Sequence, residues 1–346
     1  MSEIRVGLIG YGTAGAYFHA PLIHATPGLS LAAVVTRNPD RQAEVAATYG
    51  AAGLSDVREL WDRCDLVVVA SPNKTHVTMA ASALTQGLPV VVDKPLARTA
   101  EEARDLVRLA KERELMLTVF HNRRWDGDFR TVRRLAGEGR LGEVLRLESR
   151  FERWRPVPKG GWRETGGAEE AGGLLYDLGS HLIDQALHLF GPAHQVYCES
   201  DVRRAGVASD DDTFIALTHA GGVRSHLWAS SVAALQGPRF RVLGSAAAYV
   251  KHGMDVQEER LRAGMTPESP GFGEDEEERW GVLGTADDQR VVRTEPGAYL
   301  DFYQGVQAAL RHGAPPPVDP ESAVDVLTVI EAAHLSATQH IVVHLG

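Results

Sequence analysis

Cysteine is nearly absent from this chain. Only Cys64 and Cys198 occur in 346 residues, and they stand far apart. They match no metal-ligand spacing, so they read as reduced core residues of a cytoplasmic protein. Also lacking is any apolar run of about 18 residues, which excludes an expected membrane-spanning helix. No signal or transit peptide is read ahead of the first strand-like segment, "IRVGLIG". Positive charge is in deficit as well. Lys and Arg number 36 against 46 Asp and Glu, and the formal net charge of −10 argues against nucleic acid or an anionic membrane as partner. Internal repeats and low-complexity linkers are missing too. The acidic run "GEDEEER" at 273–279 reads as a solvated loop.

What remains is a globular composition, 44% apolar and 24% charged. The length exceeds one ordinary core, so two domains are expected. Residues 1–120 alternate short β-branched runs with helical patterns. The strands read "IRVGLIG" (4–10), "LAAVVT" (31–36), "DLVVVA" (65–70), "PVVVD" (89–93) and "LMLTVF" (115–120), with helices near 14–25, 39–48, 55–61, 74–86 and 99–113. Continuously apolar strands of this kind lie buried on both faces, and strand–helix alternation builds a doubly wound parallel sheet. After residue 120 the pattern changes to partial two-residue alternation, at 142–154, 195–200, 212–220, 223–232 and 239–245. That predicts a second, α+β domain over 121–346 with a mostly antiparallel open sheet. The domain's opening helix and two closing helices, near 297–312 and 320–338, are expected to cover it.

The first strand runs into Gly10-x-Gly12-x-x-Gly15, with Thr13 inside the turn, at the start of a helix. In a dinucleotide-binding turn the first glycine makes the bend, the second admits a pyrophosphate, and the third lets helix pack on strand. The helix N-terminus adds free N–H groups for the phosphates. An NAD site places an acid near the end of the second strand for the ribose 2′-OH. Here the stretch reads Thr36, Arg37, Asn38, with no acid before Asp40. A guanidinium suits a 2′-phosphate, so NADP is favoured, with NAD as the alternative and a surface role for Arg37 left open.

Further candidates follow the later strands. Ser71, Pro72, Asn73 and His76 come after the third strand and are expected to line the cofactor. His121, Asn122 and Arg123 follow the fifth and are candidates to meet substrate hydroxyls, with structural pairing as the alternative. The helical stretch "GGLLYDLGSHLIDQALHLFG" at 172–191 carries two Asp-x-x-x-His pairs, Asp177 with His181 and Asp184 with His188. Residues four apart share a helix face. A metal site from all four would need closure by another segment, and no metal is assigned. The second pair reads as serving the helix and its packing.

The triplet Asp93-Lys94-Pro95 at a strand end, together with the glycine turn and "GGLLYDLGSHLID", resembles the Gfo/Idh/MocA (glucose–fructose oxidoreductase and inositol dehydrogenase) family over nearly the whole chain. "FHNRRWDGDF", "WRPVPKGGWRE" and "YVKHGMDVQEERLRAG" resemble its NADP-dependent inositol dehydrogenase branch. The resemblance implies a Rossmann domain over 1–120 and a substrate-binding, oligomerising α/β domain over 121–346. It implies Lys94, Asp177 and His181 as catalytic residues, Trp162 and Arg163 near the nicotinamide, and a homodimer or homotetramer acting on a small polyol or sugar. Asp93 departs from the Glu more usual there.

Such residues suit alcohol oxidation. A base must take the hydroxyl proton while the cofactor takes the hydride, and positive charge steadies the developing alkoxide. His181 is the natural base, Lys94 the polarising cation, and Asp177 a partner for a neighbouring hydroxyl or for the imidazole. Alternatives within the class are a sugar or anhydro-ketose reductase. A silent dinucleotide sensor is the alternative outside it. A cis Lys94–Pro95 bond is expected, turning the ammonium towards a ligand.

Overall fold

The computed structural model describes residues 2–346 except 159, 162, 163, 165 and 167–170. Two compact units form, and they interleave in sequence. Met1–Trp125, Val256–Gly273 and Ala298–Val324 make the first, while Asp126–Asp255, Glu274–Gly297 and Asp325–Gly346 make the second. The expected single division at 120/121 thus meets two later segments that belong with the N-terminal unit. Among the described residues no helix is long and apolar enough to cross a membrane.

The first unit holds a parallel sheet of strands β1 (Ile4–Ile9), β2 (Leu29–Val35), β3 (Ala52–Leu54), β4 (Leu66–Val69), β5 (Val90–Asp93) and β6 (Leu117–Phe120). Their order is β3-β2-β1-β4-β5-β6. All four residues of β4 and the three valines of β5 are wholly buried, as continuous β-branched runs covered on both faces should be. Strand β3 was not legible in the alternation. It pairs Ala52, Gly53 and Leu54 with Ala33, Val34 and Val35, and the helix expected over 55–61 is two short 3-10 turns, Val57–Glu59 and Trp61–Arg63. Local punctuation was clearer. Asn38 caps helix Pro39–Tyr49 by accepting from the Asp40 and Arg41 amides, and Gly50 closes it at φ 67°.

In the second unit, among the described residues, nine strands line up: β7 (Val144–Glu152), β8 (Ala193–Asp201), β9 (Asp212–His219), β10 (Arg224–Ser230), β11 (Phe240–Gly244), β12 (Ala248–Lys251), β13 (Gly281–Gly284), β14 (Gln289–Val292) and β15 (Val343–His344). The order is β14-β13-β12-β11-β7-β10-β9-β8-β15, antiparallel except for the parallel β10–β7 pair. Burial alternates strictly along β9, so one face is covered and the other open.

Two expectations need correction here. Helix Leu300–His312 was read as covering this second sheet, but it belongs to the first unit, where Phe302 packs edge-on against Phe120 with ring centres 4.9 Å apart. The acidic run at 273–279 is not wholly solvated. The Asp275 side chain is only 5% exposed, 2.8 Å from the ammonium of fully buried Lys251 and 3.2 Å from the Arg279 guanidinium.

Candidate functional site

The carboxyl ends of the parallel strands gather most of the sequence candidates on one sheet edge, where open α/β sheets bind ligands. At the end of β1, Gly10 takes φ 100°, and a Cβ there would lie 2.6 Å from the Ala70 carbonyl oxygen. A Cβ on Gly15 would lie 2.2 Å from the Gly10 carbonyl oxygen. Gly12 differs: a Cβ there would meet nothing within 4 Å. The outer glycines are therefore demanded by the chain's own packing, while the middle one presents bare backbone to open space. Exposed Thr13 stands beside it. This cradle fits a pyrophosphate laid against main-chain N–H groups. A π-helical turn, Gly15–His19, then leads into helix Ala20–Ala25.

At the tip of β2, Thr36 is fixed by its amide on the Leu54 carbonyl (2.8 Å) and its own carbonyl on the Gln42 side chain (2.7 Å). Asn38 is occupied as the helix cap. Arg37 between them is exposed and makes no hydrogen bond or ion pair among the described residues. Its guanidinium is available to a 2′-phosphate.

The loop after β4 is braced by a 2.6 Å hydrogen bond between the Ser71 and Thr75 hydroxyls, with Pro72 exposed and Asn73 buried. His76 lies beneath this loop rather than on its surface. It is fully buried, with both ring nitrogens against main-chain carbonyls.

At the end of β5, Lys94 is partly exposed and the Lys94–Pro95 bond is cis, as expected from the triplet. Beside it the Asp93 side chain is only 15% exposed and lies 3.7 Å from Nε2 of His19, whose Nδ1 is 2.6 Å from the Tyr303 hydroxyl. Burial alone would raise the Asp93 carboxyl. The nearby His19, Lys94 and His76 side chains outweigh it and hold the group below its ordinary range. A standing negative charge thus underlies Lys94.

His121 and Asn122 are buried where β6 ends. Arg123 is committed within its own unit. It donates to the Tyr299 hydroxyl at 2.9 Å and pairs with Glu258 while only 6% exposed, so the structural pairing left open by the sequence is present.

In the second unit a double glycine opens the segment bearing Asp177 and His181. A Cβ on Gly172 would lie 2.2 Å from the Gly166 carbonyl oxygen. One on Gly173, at φ 87°, would lie 1.8 Å from Oδ1 of Asp210. Oδ2 of that carboxylate accepts the Leu175 amide at 2.7 Å and the Thr213 hydroxyl at 2.9 Å, and the Asp210 carbonyl accepts the Leu174 amide at 3.0 Å. Asp210 is therefore the cap of this segment, found 35 residues downstream. Asp177 rides on a π-helical turn, Leu175–Gly179, and buried His181 on the helix that follows, Ser180–Phe190. Their four-residue spacing thus straddles a widened turn, a feature frequent at functional sites. Asp184 is buried whereas His188 is exposed, so the second pair does not share one environment. Beneath the helix, buried Arg239 donates to Gln185 at 2.9 Å and stacks over Phe151 and Phe240. Among the described residues no cluster of three or more His, Cys, Asp or Glu can hold a metal ion. Trp162 and Arg163 lie outside the described residues.

Family models match in tandem: an oxidoreductase family's NAD-binding Rossmann fold over residues 4–121, and its C-terminal α/β domain over 133–345. The chain belongs to the Gfo/Idh/MocA oxidoreductase family. A scyllo-inositol 2-dehydrogenase (NADP(+)) of Bacillus subtilis (strain 168) is 34% identical over 346 residues, covering 98% of this chain and 95% of the relative. An uncharacterized oxidoreductase of Escherichia coli (strain K12) is 40% identical over 342 residues, covering 97% and 96%. The solved structure of a Bacillus subtilis protein gives a TM-score of 0.94 at 34% identity, covering 100% of this chain and 99% of that one.

As a Gfo/Idh/MocA member the chain is an NAD(P)-dependent oxidoreductase, and its parallel-sheet unit is the NAD(P)-binding domain. Sequence reasoning missed His19, Tyr303, Glu258, Tyr299 and Asp210. Only Asp210 carried a signal, as the first of three consecutive acids that lead into a strand.

Proposed function

We propose that the protein interconverts a secondary alcohol of a cyclic polyol or sugar and its ketone with NADP, the favoured pair being scyllo-inositol and its inosose. The observation that carries the reaction is the open Gly12 backbone on the same sheet edge as Lys94. The similarity to an NADP-dependent scyllo-inositol dehydrogenase along nearly the whole chain supports the substrate. Exposed Arg37, with no acid at the tip of β2, supports NADP over NAD.

The bound nicotinamide supplies hydride acceptance and donation. Lys94 polarises the reacting oxygen in both directions, and His181 takes the hydroxyl proton on oxidation and returns it on reduction. Asp177 accepts from a neighbouring hydroxyl or orients the imidazole. His121 and Asn122 read further hydroxyls. The substrate is a small uncharged molecule, bound through hydroxyl hydrogen bonds rather than ion pairs. The open face of the nine-stranded sheet is the proposed surface for a homodimer or homotetramer. Neither nucleic acid nor membrane is a proposed partner, and the cytoplasm is the proposed location.

A site that pairs several hydroxyls disfavours an epimer leaving one buried group unmatched, by about 1–3 kcal/mol. All-equatorial scyllo-inositol should therefore exceed myo-inositol by about ten-fold to a hundred-fold in kcat/KM. Steady-state rates on both inositols with NADP, and on the inosose with NADPH, test this. Equal rates, or turnover confined to pyranose or anhydro sugars, would remove the inositol assignment.

A further inference from the structure

One buried ring touches both loops that frame the cofactor edge. His76, at the start of helix His76–Thr85, is 0% exposed. Its Nδ1 lies 2.8 Å from the Pro95 carbonyl oxygen and its Nε2 lies 2.8 Å from the Ser71 carbonyl oxygen. Pro95 follows Lys94 directly, and Ser71 opens the loop after β4. We propose that His76 is a positioning residue: a strut tying the cofactor loop to the Lys94 loop, so that dinucleotide binding at one sets Lys94 in the other.

The chemistry supports a strut rather than a ligand. Carbonyl oxygens at such a site must be matched with donors, and leaving one unmatched costs more than an average hydrogen bond gains. Both oxygens accept and neither donates. The neutral ring therefore serves one of them in each tautomer, and the imidazolium serves both. Burial disfavours a charged ring and holds the imidazole below its ordinary value; the Pro95 carbonyl, Asp93 and the Ser71 carbonyl favour the charged form, and Lys94 opposes it. The two loops leave neighbouring strands, since β4 pairs with β5 from Val67 to Val69, so one side chain can span them. No atom of the ring reaches the surface, which leaves hydrogen bonding to the loops as its route of action.

This inference rests on reading Lys94 as a catalytic residue, and its test is kept independent of any substrate. His76→Asn keeps a donor near Nδ1 and so preserves the Pro95 side, while His76→Gln keeps one near Nε2 and preserves the Ser71 side. NADPH affinity is measured by fluorescence titration, and Lys94 is followed as its ¹³C-dimethylated form by NMR, with Tm recorded for every variant. In the native protein NADPH should shift the Lys94 signal. His76→Gln should bind NADPH within about three-fold of native yet lose most of that shift, and His76→Asn should bind about ten-fold more weakly, as expected when a single preserved hydrogen bond separates the two effects. The inference is overturned if the native Lys94 signal ignores NADPH, if the Gln variant keeps the full shift, or if both variants lose affinity in step with Tm. Normal turnover by Lys94→Ala would instead remove the catalytic reading of Lys94 and leave the strut to stand or fall on these measurements.

Discussion

Both units open a functional segment with glycines and a π-helical turn, yet the glycines serve opposite ends. In the first unit Gly12 faces empty space, and Gly15–His19 carries the turn onward. In the second, the space a side chain would take at Gly172 and Gly173 is filled by the Gly166 carbonyl and the Asp210 carboxylate before Leu175–Gly179 begins. One glycine leaves the space beside it open, and the other two make room for the protein itself. The same contrast separates the side chains. Arg37 is exposed and Lys94 partly so, whereas Arg239 and Gln185 are buried and Asp210 half-buried, and these three act on the segment that carries Asp177 and His181. Glycine in a motif thus means little until the neighbouring atoms are known.

The contrast can be broken most forcefully at Lys94. Lys94→Ala should leave Tm unchanged and NADPH affinity within a few-fold, while lowering kcat by about two to four orders of magnitude. A fall in Tm that matches the loss of rate would show Lys94 to be a structural residue. Next come the glycines as a matched pair. Gly12→Ala should keep its melting temperature and lose NADPH affinity by about ten-fold or more, because the methyl stands where the pyrophosphate approaches. Gly173→Ala should do the reverse on the cofactor side, destabilising by about 1–3 kcal/mol from the positive φ alone, with the Asp210 carboxylate displaced in addition. If both variants lose the same property, the distinction between ligand-facing and protein-facing glycines fails.

Arg37→Asp sharpens the comparison without touching the fold. A carboxylate there repels a 2′-phosphate and accepts from a free 2′-OH, so the ratio of kcat/KM for NADP over NAD should fall by about ten-fold or more, with Tm unmoved. An unchanged ratio would leave Arg37 as a surface residue. The smallest effect concerns the half-buried Glu258, paired with Arg123 in the first unit. Burial would raise the Glu258 carboxyl, but the Arg123 and Arg262 charges and their hydrogen bonds prevail and hold it at about 2 against an ordinary 4.5. A depressed carboxyl stabilises the fold above its unfolded value and loses that contribution as pH falls through the folded one. The Tm advantage of the native protein over Glu258→Gln should therefore be full above pH 4.5 and shrink as pH falls towards about 2. A gap that persists unchanged in acid would mean that charge plays no part in it.

Much of the first unit was legible because its signals are local. "LVVV" and "VVVD" announce doubly covered strands through composition alone, and the glycine spacing at 10, 12 and 15 encodes a turn whose geometry needs nothing distant. The place of Lys94 at a strand end followed from the same alternation. Strand β3 was illegible because "AGL" carries no β-branched residue, and only the offered edge of β2 makes it a strand. The four strands beyond 245 were missed for a related reason. They are short, from two to four residues, and exist by pairing in register with neighbours rather than by periodicity.

By itself, then, the sequence determined the alternating parallel sheet, the phosphate-binding turn, the cationic tip of β2 and the acid-Lys-Pro strand end. Each depends on residues within a few positions of one another, where backbone sterics and side-chain period decide the outcome. Only the tertiary structure decided that Arg123 is taken up by Glu258 at 135 residues' distance, that Asp210 caps the segment of Asp177 and His181, that Asp275 is a buried ion in an otherwise acidic surface run, and that helix Leu300–His312 belongs with the first unit. Those outcomes are matters of partnership. A buried charge or an uncapped helix end must find a complement somewhere, but the requirement is the same for every candidate along the chain, and only packing selects which one meets it.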